Sequence, residues 1–563
     1  MISGSALAVA LLVACAPSDP TTDDSGGATD GGDTDGGDTD GGGVDGGGAD
    51  GGDTDGGGTG STGDGGTTTD GGTPTPDGTC ALAAALAEPN LWEGQTLSFT
   101  VACTGDLATD DAEISVVSAP TGAAWDPGTL RLTWVTGPKD GGRHDLVFSA
   151  RPAGSSSIPE AHTVTVWVAD DPTLPDAVPV DPLAYREEWG LPVLHLQTTG
   201  PLTTEEQEAT VTWGGASYPS LAKIRGASSA YYAKPGYTLD FTDDELPIEP
   251  WDVTRDHLVL LSPFDDNSYV RQKLIYDQWA AICEWSGEAR LAPRTFFLVL
   301  YLDGAYHGLY IGLDRIDDEF TRHMGFDGEG NLYKAVDHDA NFYLTDSGGN
   351  AKYSLHQGYD KKEGLPEGDY TDLDALVTFT GGSDTDTLLA SAEDWFSLAE
   401  FMDWFLLVHY AQAGDSAGKN SYLYHDALTG RWSYAPWDFN DSWGQNWYTV
   451  RVSSDSLDDF TWANRVFAAI QEDRETQALL WERFAAMRED GPFDPDWLLG
   501  QIDAYQAEID PSARRDWEKW EPYYRTAWWA HYRRGTWTDY DGELEYVRTW
   551  IEERDALFLE RVP

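Results

Sequence analysis

Beyond Cys80 the chain alternates apolar and polar residues in short runs: Leu97 to Cys103, Ile114 to Val117, Leu130 to Val135, Asp145 to Phe148 and His162 to Val168, with turn residues between them. A period of two buries one face of each run, and several such runs at this spacing predict an antiparallel β-sandwich over residues 80–170. Residues 171–185, rich in proline from Pro172 to Pro182, read as a linker. In residues 186–563 strand-like runs dominate to about Leu313 and helical periodicity takes over from about Asp394, so this longer part is predicted α+β. One helix is expected from Asp394 to Gln412. Ser391 and Asp394 form its capping pair, and Phe396, Leu398, Phe401, Phe405, Leu406 and Val408 its apolar face.

The N-terminal residues follow neither period. From Ala6 to Ala14 the chain is small and apolar, too short to span a bilayer and suited to a signal peptide over residues 1–14. Its ending, Leu12-Val13-Ala14-Cys15, resembles a lipobox, which implies removal of the segment and lipidation of Cys15. A plain secretory signal is the other reading. Residues 15–79 are nearly all Gly, Asp and Thr. They are expected to form a disordered acidic tether, because they offer too little apolar surface to offset ordering entropy. Calcium-binding Gly-Asp repeats carry an apolar residue in each period, a feature this tract lacks.

Composition narrows the partners. Thirty-five basic and ninety-seven acidic residues leave a net charge of −62. That field repels nucleic acid and anionic lipid, so no nucleic-acid partner is expected and membrane contact is expected only through Cys15. Clusters of Lys or Arg therefore become informative. Export permits a disulfide between Cys80 and Cys103, with two unpaired thiols as the alternative. Cys283, in an apolar helical stretch, reads as a core residue. The aromatic group Trp517, Trp520, Tyr523, Tyr524, Trp528 and Trp529 has helical spacing, which favours packing over a sugar-stacking platform. Trp125-Asp126-Pro127-Gly128-Thr129-Leu130, with Leu132, Trp134 and Gly142, resembles the immunoglobulin- or cadherin-like domains of bacterial surface proteins.

After the predicted helix come Gly414-Asp415-Ser416-Ala417-Gly418-Lys419-Asn420, the strand-like Tyr422-Leu423-Tyr424, a turn at Asp426 to Gly430, Trp432-Ser433-Tyr434, and then Pro436-Trp437-Asp438-Phe439-Asn440. Two short strands around a turn make a hairpin, which returns Asp438 to the neighbourhood of Asp415 and Asn420. A carboxylate for the acceptor hydroxyl, an Asn five residues later, a hairpin and a second carboxylate for magnesium is the order of parts in phosphoryl transfer. Alone, Asp415 could be a turn residue and Asp438 a solvated loop carboxylate. Two basic regions add weight. Lys223-Ile224-Arg225-Gly226-Ala227-Ser228-Ser229 with Lys234 offers small residues and cations suited to phosphate. Asp265-Asp266-Asn267-Ser268 leads to Arg271, expected in the first turn of a helix capped by Asn267 or Ser268. An Arg there opposes the helix dipole and so suggests a specific anionic partner, or a structural salt bridge.

Together these residues resemble the spore-coat protein H (CotH) kinase family, a divergent branch of the protein-kinase-like fold, from roughly Leu191 to Pro563. The resemblance rests on Arg225-Gly226-x-Ser228-Ser229 with Lys234 and Tyr237, and on Asp266-x-Ser268-x-x-Arg271. It continues through Tyr301-Leu302-Asp303-Gly304-x-Tyr306-x-Gly308-x-Tyr310, Asn331-Leu332-Tyr333-Lys334, Asp415 with Lys419-Asn420, Pro436-Trp437-Asp438-Phe439, and Trp550-Ile551-Glu552-Glu553-Arg554. It implies a two-lobed kinase-like domain over residues 186–563. It also implies a surface-tethered kinase that uses ATP and Mg²⁺, or Mn²⁺ in its place, to phosphorylate an exposed Ser of a protein at the cell surface. Asp415 would be the base, Asp438 and Asn420 metal ligands, and Arg225, Ser228, Lys234, Arg271 and Lys419 nucleotide contacts, with Trp432 against adenine or in the core. Asp314 stands where a Glu is expected as a lysine's partner, and Asn440 where a second acid is common, with Asp441 as its substitute. An inactive kinase-fold adhesion or scaffold lipoprotein is the alternative, and a glycosidase with paired carboxylates a third.

Overall fold

The five predicted period-two runs are joined by three shorter strands in two four-stranded sheets packed face to face, antiparallel except where Asn90–Trp92 pairs parallel with Glu160–Ala169. The computed structural model describes residues 80–104, 106–156, 159–241, 245–524 and 538–560. The signal segment, Cys15, the tether, Trp528 and Trp529 lie outside them. One sheet runs Leu82–Ala84, Thr96–Cys103, Arg131–Val135, Ala124–Asp126; the other runs Asn90–Trp92, Glu160–Ala169, Gly142–Pro152, Ala112–Ser118. Leu97, Phe99 and Val101 alternate inward from one sheet to meet Phe148, Val164 and Val166 of the other. Cys80 and Cys103 are disulfide-bonded, with Cα atoms 5.0 Å apart.

Residues 171–185 do not hold the sandwich at a distance. Trp92 and Trp189 meet edge to face at 4.8 Å, and the Trp189 indole N–H donates to the carbonyl of Leu91 at 3.1 Å. Arg515 crosses the junction. It donates to Glu188 Oε2 at 2.6 Å and to the Asp170 carbonyl at 2.8 Å, and its guanidinium lies 3.9 Å from the Tyr306 ring centre and 4.7 Å from that of Trp92.

The strand-rich stretch closes into a barrel. In order around it the strands are Gln207–Trp213, Ala216–Arg225, Gly236–Asp240, His257–Leu261, Ala305–Leu313, Thr295–Leu302 and Leu191–Thr198, and the last also pairs with the first. The Thr295–Leu302 and Leu191–Thr198 strands run parallel and the other pairs antiparallel. Alternation sorts the side chains: Leu194, Leu196, Leu258, Leu260, Phe296, Leu298 and Leu300 fill the barrel, while Val193, Val259, Phe297 and Val299 face outward into a second core beneath the helix Arg271–Ser286. Both faces of these strands are thus covered, which is why they read as nearly continuous apolar runs.

The second core continues into the helical half, where the sheet Tyr359–Glu363, Asn331–Ala335, Ser421–His425, Trp432–Pro436 packs against the helix Leu398–Ala411. This helix starts later than expected. Its N-cap is Ser397, whose Oγ accepts the Glu400 N–H at 3.3 Å, while Ser391 and Asp394 belong to a separate short turn. Arg554, on the terminal helix Tyr540–Leu559, caps its other end by donating to the carbonyls of His409 at 2.7 Å and Tyr410 at 3.1 Å. The described residues thus form a mixed α/β structure with several sheets, one of them a barrel. No described helix is long and apolar enough to cross a membrane.

Candidate active site

The predicted hairpin is present, with Ser421 opposite Pro436 and His425 opposite Trp432. It returns the chain so that the Ser416 hydroxyl donates to the Asp438 carbonyl at 3.3 Å. Asp415 sits in the short turn Gly414–Ser416 that follows the helix. Its carboxylate accepts from Lys419 Nζ at 2.9 Å and Asn420 Nδ2 at 2.8 Å, and His338 Nε2 lies 3.3 Å away. Burial opposes its charge, but His338 and Lys419 outweigh burial and hold the group below the usual carboxylate range.

Asp438 has a left-handed backbone, φ 58°, and its N–H donates to the Tyr276 hydroxyl at 3.2 Å. Among the described residues its carboxylate has no hydrogen bond and no ion pair. Two buried acids flank it. Asp441 accepts the Asp415 N–H at 3.3 Å on Oδ2, while its Oδ1 has no partner. Burial and then the charge of Asp415 push this carboxyl well above its usual range. Asp265 accepts from Asn440 Nδ2 at 2.7 Å, and burial followed by the charge of Asp438 pushes it up to about 7.

Cations complete the group. Arg225 lies with its guanidinium 5.0 Å from the Trp437 ring centre, and the Lys334 amine is 5.1 Å from the same ring. Burial pushes the Lys334 amine down to about 8, with the Arg225 charge adding to the shift and Asp438 opposing it. Neither cation has an ion-pair or hydrogen-bond partner among the described residues. Arg225 ends its strand, and Gly226 follows at φ 99°, where a Cβ would come within 2.0 Å of Ser229 Oγ. This tight turn leaves Ser228 exposed.

The other expected contacts lie elsewhere. Lys234 is fully buried, donating to Asp516 Oδ1 and to the Leu309 carbonyl, each at 2.6 Å. Arg271 is also fully buried, held by Asp266 at 2.5 Å and Glu543 at 2.7 Å. Neither side chain is open to a phosphate; the partner that the position of Arg271 called for is internal. No side chain caps the helix Arg271–Ser286 from Asn267 or Ser268; Asp266 Oδ2 accepts the Arg271 N–H at 2.9 Å instead. Trp432 is a core residue stacked on His425 at 4.5 Å, and the ring beside the cations is Trp437. Asp314 has no lysine partner: it binds Arg255 at 2.9 Å and Arg294 at 3.2 Å. Cys283 is buried.

Three residues to which sequence reasoning gave no role are therefore central: Lys334, Asp265 and His338. Lys334 belonged to a recognised motif, but without a role. The assembled arrangement gathers oxygen-bearing side chains at Asp438, Asn420 and Asp441, two cations without partners among the described residues, and an ionised acid at Asp415.

The profile of the CotH kinase protein family matches residues 222–558. The inner spore coat protein H of Bacillus subtilis (strain 168) is 25% identical over 197 residues, covering 35% of this chain and 52% of that protein. The match therefore spans about half the length of that relative. Among solved structures, an endo-fucoidan hydrolase from glycoside hydrolase family 107 is matched at 13% identity over 31% of this chain and 28% of that one, with a TM-score of 0.13, too slight a likeness to bear on fold or activity. The family match covers more than half of the sequence and includes every residue of the cluster around Asp415 and Asp438, so the chain belongs to the CotH kinase protein family.

Proposed function

We propose that the chain is an ATP- and magnesium-dependent kinase that phosphorylates serine on proteins, with a kinase-like two-lobed layout and an anchor at the cell surface through lipidated Cys15. The observation that carries this reading is the pair Arg225 and Lys334, two cations without acidic partners among the described residues, beside Asp438 in a protein of net charge −62. Where carboxylates outnumber cations almost threefold, leaving two cations unpaired beside an acid favours an anionic ligand, and a triphosphate suits that charge.

Asp415 is ionised at neutral pH and oriented by Lys419, Asn420 and His338, as a base receiving the serine proton must be. Its low basicity fits phosphoryl transfer, in which positioning and electrostatics contribute more than proton abstraction. Lys419 acts by holding this base, and Arg225 and Lys334 hold phosphate oxygens. A divalent ion fits the donors present, since among the described residues Asp438 lacks a partner and Asp441 Oδ1 is buried and unsatisfied. Asp438 and Asn420 would hold it, and it would neutralise charge on the phosphoryl group. The spore-coat location in the relative's name supports a surface role.

The full chain with Mg²⁺ and γ-labelled ATP is expected to label itself or an added serine-containing protein, and Asp438→Asn is expected to abolish labelling. Equal, background-level transfer by the two proteins would exclude the kinase reading.

A further inference from the structure

A cavity of about 1080 Å³ lies at the junction, walled by Trp92 and Glu93 of the sandwich, residues 170–174 and 177–179, the turn at 304–306, and Arg515 and Lys519 of the helix Pro495–Tyr524. Asp170 lines it and is only 7% exposed. Its N–H donates to the Tyr185 hydroxyl at 3.3 Å and its carbonyl accepts from Arg515 at 2.8 Å, but among the described residues its carboxylate has neither a hydrogen bond nor an ion pair. Glu93, 4% exposed on the same wall, brackets it. The Glu93 N–H donates to the Ala169 carbonyl at 3.0 Å, and its carboxylate accepts the N–H groups of Gly141 at 3.0 Å and Asp171 at 3.3 Å. It too has no cationic partner among the described residues. By contrast Glu188, Asp314, Asp403 and Asp516 are each buried against an Arg or a Lys. A buried carboxylate without a partner is costly, so one that lines a cavity calls for a ligand supplying the missing charge.

The cations of this wall are already committed. Arg515 serves Glu188, and the Lys519 amine donates to the Tyr306 carbonyl, with partial burial pushing it down to about 8. An anionic ligand is therefore disfavoured. A metal ion is disfavoured as well, because the carboxylates here do not converge as a three-ligand group among the described residues. Pro172, Leu174 and Val178 add an apolar wall, which suits an alkyl chain. We propose that the junction cavity binds a primary ammonium group on an aliphatic stem, with Asp170 as its counter-ion and Glu93 as a second acceptor. Free aliphatic diamines and polyamines carry this group, and so does the lysine side chain of a protein partner. Because its walls come from the sandwich, the connecting segment and the helical half, the occupant would touch all three. The inference needs neither nucleotide nor phosphate transfer and is independent of the kinase reading.

The test is isothermal titration of the full chain with diaminopentane at about 0.15 M ionic strength, which screens the exposed carboxylates. The aspartates of residues 15–79 are common to all variants, so differences report the cavity. Wild type is expected to show one saturable site. Asp170→Asn, which preserves the shape of the side chain, should weaken that site roughly thirtyfold, the scale of losing one desolvated charge pair. Glu552→Gln, at an exposed acid of the terminal helix, should leave it unchanged. Pentanediol, with hydroxyls in place of the ammonium groups, should show no saturable binding. Absence of a saturable site in wild type, equal affinity of Asp170→Asn, or equal binding of the diol would each overturn the proposal. If Asp170→Asn melts without cooperativity, Ala305→Lys decides: it brings an ammonium to the cavity from an exposed position and should abolish saturable binding, and retained binding overturns the site. Titration with Nα-acetyl-lysine amide separates the two sources, both of which uphold the site: affinity above that of diaminopentane assigns it to a lysine side chain, and affinity below it to a free amine.

Discussion

Lys334 and Lys234 carry the same charge in opposite settings. Lys234 is neutralised by Asp516 in the interior, whereas Lys334 lies beside Arg225 over Trp437 with no acidic partner among the described residues. Lys234→Met would strand a buried carboxylate, so it is expected to cost about 3–5 kcal/mol in denaturant unfolding. Lys334→Met should leave stability nearly unchanged and lower kcat/KM for ATP roughly a hundredfold, the scale of losing one preorganised charge contact. The pH dependence has a definite sign. With its amine pushed down to about 8, Lys334 is charged below that pH and neutral above it, so kcat/KM for ATP should fall as pH rises through 8. Lys334→Arg, charged throughout, should remove that fall; coincident profiles would show that the amine does not bind phosphate. Sequence alone reached Asp415, Asn420 and Asp438 because a local hairpin brings them together. It could not separate the two lysines, since Lys234 meets a partner 282 positions away and Lys334 reaches the site through the pairing of Asn331–Ala335 with Ser421–His425.

Among the elements, the helix Leu398–Ala411 matters most because Asp415 follows its end. Its start is fixed by Ser397 as N-cap, with Phe396 just outside packed at a tilt against Phe401 at 4.2 Å, a hydrophobic staple across the first turn. Glu400 does not complete a capping box. Its carboxylate accepts the Tyr434 N–H at 3.1 Å and so fastens the helix to the hairpin that carries Asp438. Ser397→Ala is expected to cost about 1 kcal/mol in unfolding; a loss under a tenth of that would mean that the staple and the Glu400 contact set the helix start without the cap. Apolar periodicity ran through this boundary because Phe396 is buried without being helical, which is why the sequence placed the start too early. The sandwich strands were legible for a related reason: one buried face gives clean alternation. Barrel closure was not, because the parallel pairing of Leu191–Thr198 with Thr295–Leu302 joins strands about a hundred residues apart.

At the scale of the whole described structure, the helix Pro495–Tyr524 joins three regions through two adjacent residues. Arg515 reaches the sandwich and the segment before the barrel through Asp170, Glu188 and Trp92, while Asp516 reaches the barrel through Lys234 and the Leu309 N–H. The sandwich is therefore built onto the body that carries the site, not hung from it by a linker. Arg515 is the testable point, because Glu188 is fully buried and its Oε2 also accepts from the hydroxyls of Tyr185 and Tyr301. Removing the guanidinium leaves that acid without a counter-charge, at a cost of about 3–5 kcal/mol concentrated at the junction. Wild type is expected to melt in a single transition over the described residues. Arg515→Ala should melt in two, the sandwich separating first, with new proteolytic cleavage within residues 171–185. Since Asp516 and Lys234 are untouched, transfer from γ-labelled ATP should be unchanged. One transition at an unaltered temperature would show that the other junction contacts, those of Trp92 and Trp189 among them, hold the sandwich without Arg515.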